Sequence, residues 1–206
     1  MLSDQEQKTV DSYNAVADEW VTTLSKDFWL GEYKRFQQFL PAGKIIDLGC
    51  GNGRDIEWFE AHGYDCTGID ISEALIKLAK AKGLSAKFFV KSFYELDFPS
   101  GSFDGFWAAN SLIHVPREKI QGVLDKIKKI VKPHGIGLIT VKEGSGHRFK
   151  EWRQSGHKRF FEYYSKEEFE SYLAKTGFKV LESNKRTEDK FTTQDATYIV
   201  FYVESI

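Results

Sequence analysis

Two periodicities divide this chain. In some stretches apolar residues recur every three or four positions, as on one face of a helix. In others they alternate or form short continuous runs, as in strands. Ser3-Asp4-Gln5-Glu6 is a capping box, and the helix it opens places Val10, Tyr13, Ala17, Trp20 and Leu24 on one face. A second helix is expected over 31–40, with Tyr33, Phe36 and Phe39 or Leu40 inward, closed by Pro41-Ala42-Gly43. The crowding of Trp20, Phe28, Trp29, Tyr33, Phe36 and Phe39 reads most simply as core packing, with a lid over a ligand as the alternative.

From Lys44 the pattern alternates between strand and helix. Strands are expected over 44–48, 64–70, 86–90, 102–109 and 136–141. Between them lie helical patterns at 56–62, stopped by Gly63, and after Ser72, with Leu75, Ile76 and Ala79 inward and Gly83 as the stop. A third helix starts near Pro116 and carries Ile120, Val123, Leu124, Ile127, Ile130 and Val131. The pattern weakens over 142–164, which reads as an excursion from the sheet. Ser165-Lys166-Glu167-Glu168 then caps a helix bearing Phe169, Tyr172 and Leu173, and Gly177 stops it. The runs 178–182 and 198–203 are the last strands, with no helix between them, so they form an antiparallel pair. The connecting stretch 183–194 is polar and expected to be exposed. Strand–helix alternation over most of the length means an α/β domain with a largely parallel sheet.

At 206 residues, nothing argues for a second domain. The expected divisions are an N-terminal helical cap over 1–42, a ligand-binding core over 43–141, the excursion over 142–164, and a C-terminal helix and strand pair over 165–206. A formal net charge of -1 gives no global field toward nucleic acid or anionic membrane. No apolar run approaches a membrane span, and the polar start lacks a signal-peptide pattern, so a cytoplasmic protein is expected. The two cysteines, Cys50 and Cys66, give no metal spacing and fall at opposite ends of neighbouring strands, which disfavours a disulfide.

The chemistry is expected where ligands bind α/β sheets, outside the carboxyl ends of the strands. After the first strand come Asp47 and Gly49-Cys50-Gly51-Asn52-Gly53-Arg54. Alternating glycines let a ligand lie against bare main chain, and the helix behind them presents free N–H groups. A dinucleotide fingerprint would want a glycine where Arg54 stands, so the loop suits a nucleoside without a pyrophosphate better than NAD. Asp70 ends the second strand about twenty residues after the loop begins, where a carboxylate can accept both hydroxyls of a ribose. Its alternative role is to cap the helix after Ser72. Asp47 is read chiefly as an acid that ties down the loop through its N–H groups. Further along the same edge lie Ser92 and Phe93, Ala109 and Asn110, His114, and Lys142 with Glu143.

Taken together, Asp47-Leu48-Gly49-Cys50-Gly51-Asn52-Gly53, Gly68-Ile69-Asp70-Ile71-Ser72, Phe98-Pro99-Ser100-Gly101-Ser102-Phe103-Asp104 and Lys132-Pro133-His134-Gly135 resemble the ordered motifs of class I S-adenosylmethionine-dependent methyltransferases. The likeness spans about 13–177. Thr140-Val141-Lys142-Glu143-Gly144 resembles the fifth-strand end of small bacterial stand-alone members. The resemblance implies a Rossmann-like three-layer sandwich with a mostly parallel seven-stranded sheet ending in an antiparallel pair. It implies S-adenosyl-L-methionine as cofactor. Asp47, Gly49, Cys50, Gly51 and Arg54 would form the seat of its methionine end, with Gly49 and Gly51 in contact. Asp70 would hold the ribose and Ile71 would pack on adenine. Ser92 and Phe93 stand where the family has an acid and a small residue, which leaves a hydroxyl and a main-chain N–H for adenine. Ala109 and Asn110 would lie near the sulfonium. Tyr13 matches a tyrosine that closes over the cofactor, or is a packed helix aromatic.

The acceptor is a small molecule on this reading. Asn110-Ser111-Leu112-Ile113 lacks the Asn- or Asp-Pro-Pro-aromatic signature of amine-methylating members, and neither cysteine is placed as a nucleophile. If the acceptor must lose a proton, His114 is the candidate base; otherwise it caps the following helix. The excursion carries Lys142, Arg148, Lys150, Arg153, Lys158 and Arg159 against Glu143 and Glu151. It is either a basic lid that selects a carboxylate or phosphate, through Lys142, Arg153 and Arg159, or an exposed hairpin. A non-catalytic nucleoside-binding module acting through a partner, an RNA or protein methyltransferase, and an NAD-linked reductase are the competing readings. No metal site is expected.

Overall fold

The structure is a computed structural model and describes residues 2–23, 25, 27–153, 155–187 and 197–206, without the side chains of Trp20, Val21 and Thr23. Leu24 and the Trp20 side chain, placed above on the first helix face, lie outside this set, as does 188–194 of the polar stretch.

The capping box forms as written: the Ser3 hydroxyl accepts the Glu6 N–H, and the Glu6 carboxylate accepts the Ser3 N–H at 2.7 Å. It opens α1 (Asp4–Ala15). The single helix expected here is two, because Val16 leaves helical geometry and turns inward with Ala17 before α2 (Ala17–Thr23) begins. Then follow α3 (Leu30–Phe39), β1 (Lys44–Leu48), α4 (Arg54–Ala61), β2 (Asp65–Asp70), α5 (Glu73–Ala81), β3 (Lys87–Val90) and β4 (Phe103–Ala108). The chain continues through α6 (Arg117–Ile130), β5 (Val131–Glu143), β6 (His147–Glu151), β7 (Lys158–Tyr164), α7 (Lys166–Thr176), β8 (Phe178–Thr187) and β9 (Thr197–Ser205).

The parallel strands lie in the order β3-β2-β1-β4-β5, and β9 runs antiparallel between β5 and β8. All seven expected strands are present. The excursion adds two more, making nine among the described residues: it is a β6–β7 hairpin joined to the sheet where Lys142 and Glu143 of β5 pair in parallel with Tyr163 and Tyr164. Strand β5 begins at Val131 rather than near Ile136, because a register irregularity against β4 absorbs Lys132-Pro133-His134-Gly135 and lets pairing resume. Strand β8 runs on to Thr187, so part of the stretch read as a polar loop is an edge strand. An edge strand tolerates that composition because one side faces water.

Alternation along each strand builds two cores and hence three layers. Ile46, Leu48, Phe106, Ala108, Ile139 and Val141 point to the face covered by α6 and α7. Ile45, Trp107 and Leu138 point the other way, against Trp29, Tyr33, Phe36 and Phe59 of the α3–α4 side. Those aromatics are fully buried, so the core-packing reading holds for them. Each such side chain contributes roughly 1.5–3 kcal/mol by leaving water. Among the described residues no helix is long and apolar enough to cross a membrane. The order reverses at β1, between β2 and β4, and the carboxyl ends there carry the candidate site.

Candidate functional site

The glycine loop is bound to the end of β2. The Gly49 and Cys50 N–H groups both donate to the Ile69 carbonyl, at 2.8 and 2.9 Å. The Gly51 N–H donates to Asp70 Oδ2 at 2.9 Å, and the Ser72 N–H donates to Asp70 Oδ1 at 2.8 Å. Ser72 itself is the N-cap of α5. Asp70 is therefore the acid that ties down the loop. Asp47 is not: it makes no hydrogen bond to the loop among the described residues, and its buried Oδ2 has no partner. Burial, and then the negative charge of Asp55, raise the Asp47 pKa well above the usual carboxylate value, against the pull of Arg54. Burial also raises that of Asp70, opposed by the N–H groups of Ser72, Gly51 and Ile71.

Only glycine fits at position 49. Its φ is +82°, and an added Cβ would lie 2.4 Å from Ser111 Cβ. The loop thus presses against the segment after β4. Cys50 is buried there, and burial pushes its thiol up and out of nucleophilic range. Both cysteines are free.

Behind the loop stands a network that the motif reading did not contain. Asp55 is buried and accepts from Tyr33 Oη at 2.9 Å, Trp107 Nε1 at 2.8 Å and Arg54 Nε at 2.5 Å. This joins α3, α4 and β4 beneath the site. Its sequence signal was an Arg-Asp pair at a helix start, which looks like ordinary end charge. Arg54 is held charged by Asp55 against the cost of burial, and it borders the cavity.

That cavity has about 830 Å³ of empty space, counting its open mouth. Tyr13, Gly49, Cys50, Gly51, Asp70 and Ile71 line it, with Phe93, Ala109, Asn110 and His114. An adjoining cavity shares Ile71, Phe93 and His114 and reaches Ser92, whose hydroxyl accepts the Tyr94 N–H. Asn110 is left-handed (φ +56°). Its N–H donates to Thr140 Oγ1 at 2.8 Å, and the Thr140 hydroxyl donates back to Asn110 Oδ1 at 3.2 Å. Such a conformation persists where its surroundings hold it.

Helix α1 roofs the cavity through side chains. Asn14 Oδ1 accepts from Ser72 Oγ at 2.7 Å, and Thr9 Oγ1 accepts the Phe160 N–H at 2.9 Å. Glu6 pairs with Lys119 at 2.6 Å and accepts from the Tyr94 hydroxyl. Tyr13 meets His114 Nε2 at 2.9 Å, while His114 Nδ1 lies 2.6 Å from the Phe160 carbonyl. A carbonyl only accepts, so Nδ1 carries the proton and Nε2 receives the Tyr13 O–H. His114 thus docks the hairpin onto the site as well as facing the cavity.

The protein around the half-buried His114 ring lowers its pKa to about 3; the Phe160 bond opposes this, and the charges of Arg159 and Lys142 add to it. Its unfolded value is near 6.5. The folded state therefore resists a proton that the unfolded chain accepts, and stability present above pH 6.5 erodes as the pH falls toward about 3. The expected slope is at most about 1.4 kcal/mol per pH unit. Urea unfolding of His114→Gln across that window should show a shallower loss than the parent chain.

Of the three basic residues expected at the acceptor side, Arg159 reaches the cavity wall through Tyr13, and none of the three lines the cavity itself. Lys142 and Arg159 are buried; Arg153 is exposed on the hairpin turn, stacked on Trp152 at 5.2 Å. Arg153 and Arg159 both lie over the Trp152 ring. Glu143, grouped with Lys142 above, is paired with Lys185 at 2.5 Å. The hairpin is not a simple exposed one, since Phe160 to Tyr164 are all buried. Among the described residues no cluster of His, Cys, Asp or Glu can hold a metal.

A sheet of this order with a glycine loop and an acid at its first two carboxyl ends is the class I methyltransferase architecture. Residues 45–135 match the family model described as "Methyltransferase domain". A sterol 24-C-methyltransferase of Gibberella zeae is 35% identical over 105 residues, 47% of this chain and 27% of that protein. An O-methyltransferase of Aspergillus nomiae is 28% identical over 149 residues, 68% of this chain and 65% of that one. The chain spans about a quarter to two fifths of the sterol methyltransferases it matches. Among solved structures, the 1,6-didemethyltoxoflavin-N1-methyltransferase of Burkholderia thailandensis, with S-adenosylhomocysteine bound, superposes with a TM-score of 0.76. It is 21% identical, and the match covers 99% of this chain and 91% of that one, so the fold is shared end to end.

Proposed function

We propose that this chain is an S-adenosylmethionine-dependent methyltransferase acting on a small molecule. The observation that carries the reading is Asp70: a carboxylate at the end of β2, pinned by the Gly51 and Ser72 N–H groups, beside a cavity floored by bare main chain. The residues present fit the cofactor. The glycine at position 49 leaves a cradle that a Cβ would fill. Asp70 keeps lone pairs for ribose hydroxyls after receiving its two N–H donors. Arg54 supplies positive charge for a carboxylate end, and Ile71 and Phe93 offer apolar walls for a base, with the Ser92 hydroxyl beside them. On this reading 43–141 is the cofactor core and 142–164 is the acceptor side.

S-adenosylmethionine supplies an already activated methyl group, so the chain's task is alignment and exclusion of water. Ala109 and Asn110 wall the reacting region, and the Thr140 bonds fix Asn110 there. Where the acceptor must lose a proton, His114 Nε2 is the atom that takes it, through or in place of the Tyr13 hydroxyl. The ring is neutral across physiological pH, and the burial that lowers its pKa to about 3 also makes it a weak base, so this route suits an acceptor whose proton is already acidic.

Calorimetry with S-adenosylmethionine, S-adenosylhomocysteine and NADH tests the reading. The first two are expected to bind and NADH to leave no heat. Tight binding of NADH alone would make the site a nicotinamide one.

A further inference from the structure

Arg159 is a buried cation that no carboxylate among the described residues neutralises. It is 7% exposed. Its guanidinium lies against three rings: Trp152 at 4.8 Å, Tyr13 at 4.9 Å and Phe161 at 5.7 Å. Its Nε has no hydrogen-bond partner, and no carboxylate among the described residues pairs with it. The described acids of the hairpin and of the end of β5 are committed elsewhere. Glu162 is held by Arg117, Glu143 by Lys185, and Glu151 accepts the Gly156 N–H. A second buried cation stands close: Lys142, 6% exposed, lies 4.8 Å from the same Phe161 ring and 4.9 Å from Tyr198. Aromatic faces hold a cation in place but do not cancel its charge. The Arg159 guanidinium, left so, is costly to bury unless something of opposite sign joins it.

The position says what that something is. Arg159 touches Tyr13, Tyr13 is bonded to His114, and His114 borders the cavity with Ala109 and Asn110. The charge therefore sits on the hairpin side of the reacting region, away from the glycine loop that takes the cofactor's amino-acid end. We propose that Arg159, with Lys142 beside it, seats an oxyanion carried by the methyl acceptor. The inference rests on the methyltransferase reading and narrows its substrate to carboxylate- or phosphate-bearing small molecules. A guanidinium presents paired donors that match both groups, and the aromatic box orients its plane. Arg153, exposed on the turn, takes no part.

The test uses the full chain. S-adenosylhomocysteine is titrated first, and its failure to bind would fault the cofactor reading alone. Inorganic phosphate and benzoate are then titrated separately, at constant ionic strength with chloride as control, into both the free and the cofactor-saturated protein. Saturable binding of one or both is expected, and the preferred anion tells phosphate from carboxylate. Arg159→Met should weaken that binding at least about tenfold, and Arg159→Lys by less, with the affinity for S-adenosylhomocysteine retained as the check on folding. The proposal is overturned if neither anion binds the parent protein, if Arg159→Met binds them as well as the parent, or if the anion competes with S-adenosylhomocysteine. The parent titration decides by itself should the methionine variant not fold.

Discussion

Exchange of Asp70 for alanine is expected to weaken S-adenosylhomocysteine binding by about thirtyfold or more, roughly 2 kcal/mol, as for a lost charged hydrogen-bond partner. Two losses combine. The ribose loses its acceptor, and the Gly51 and Ser72 N–H groups lose theirs, so the loop is no longer pinned to β2. Asp70→Asn separates the two. Its amide has a single acceptor oxygen, so one of the two N–H bonds survives and the loss should be intermediate. Calorimetry on both variants, with thermal melts beside it, reads the outcome. An alanine variant that binds as the parent does would remove Asp70 from the ligand site and leave it a purely structural anchor.

Exchange of Asp55 for alanine is expected to have the largest effect on stability. The variant strands the mostly buried Arg54 guanidinium together with the Tyr33 hydroxyl and the Trp107 indole N–H, all of which donate to Asp55. Breaking one partner of a buried ion pair costs about 3–5 kcal/mol. That is a large share of the roughly 5–15 kcal/mol that holds a typical domain. Urea or guanidinium unfolding measures it directly. The loss should fall sharply in Tyr33→Phe, where one donor has already been removed and the remaining cluster is smaller.

These two acids show what can be read from a chain and what cannot. Asp70 is legible because its meaning lies in local order: strand, carboxylate, cap, a fixed distance after a glycine loop. The alternation of periods likewise yields the seven strands and the caps at Ser3, Ser72 and Ser165. Asp55 is illegible because its three donors come from positions 33, 54 and 107, and only the fold brings these together. Asp47 misleads for the reverse reason. It stands next to the loop in sequence, yet β-strand geometry turns it inward, and the more distant Asp70 reaches the Gly51 N–H instead. The hairpin is foreseen only as an exposed one, because 159–164 is buried on both faces and so shows no alternation. For Arg159 and Arg153 the residue type is the same; burial distinguishes them, and burial depends on what α1 and the hairpin do far from either in sequence.

Helix α1 has one consequence for traffic through the site. Val10 is its single buried apolar side chain, while Glu6, Thr9, Tyr13 and Asn14 reach out to four separate parts of the molecule. What lies beneath is therefore kept in by side-chain hydrogen bonds more than by apolar adhesion. Residence time becomes a matter of breaking a handful of polar ties one after another, each of which water can replace. An opening of that kind is quick to begin and cheap to reverse, and on the proposed function it suits a site that must admit a cofactor and an acceptor, release two products, and close again between visits.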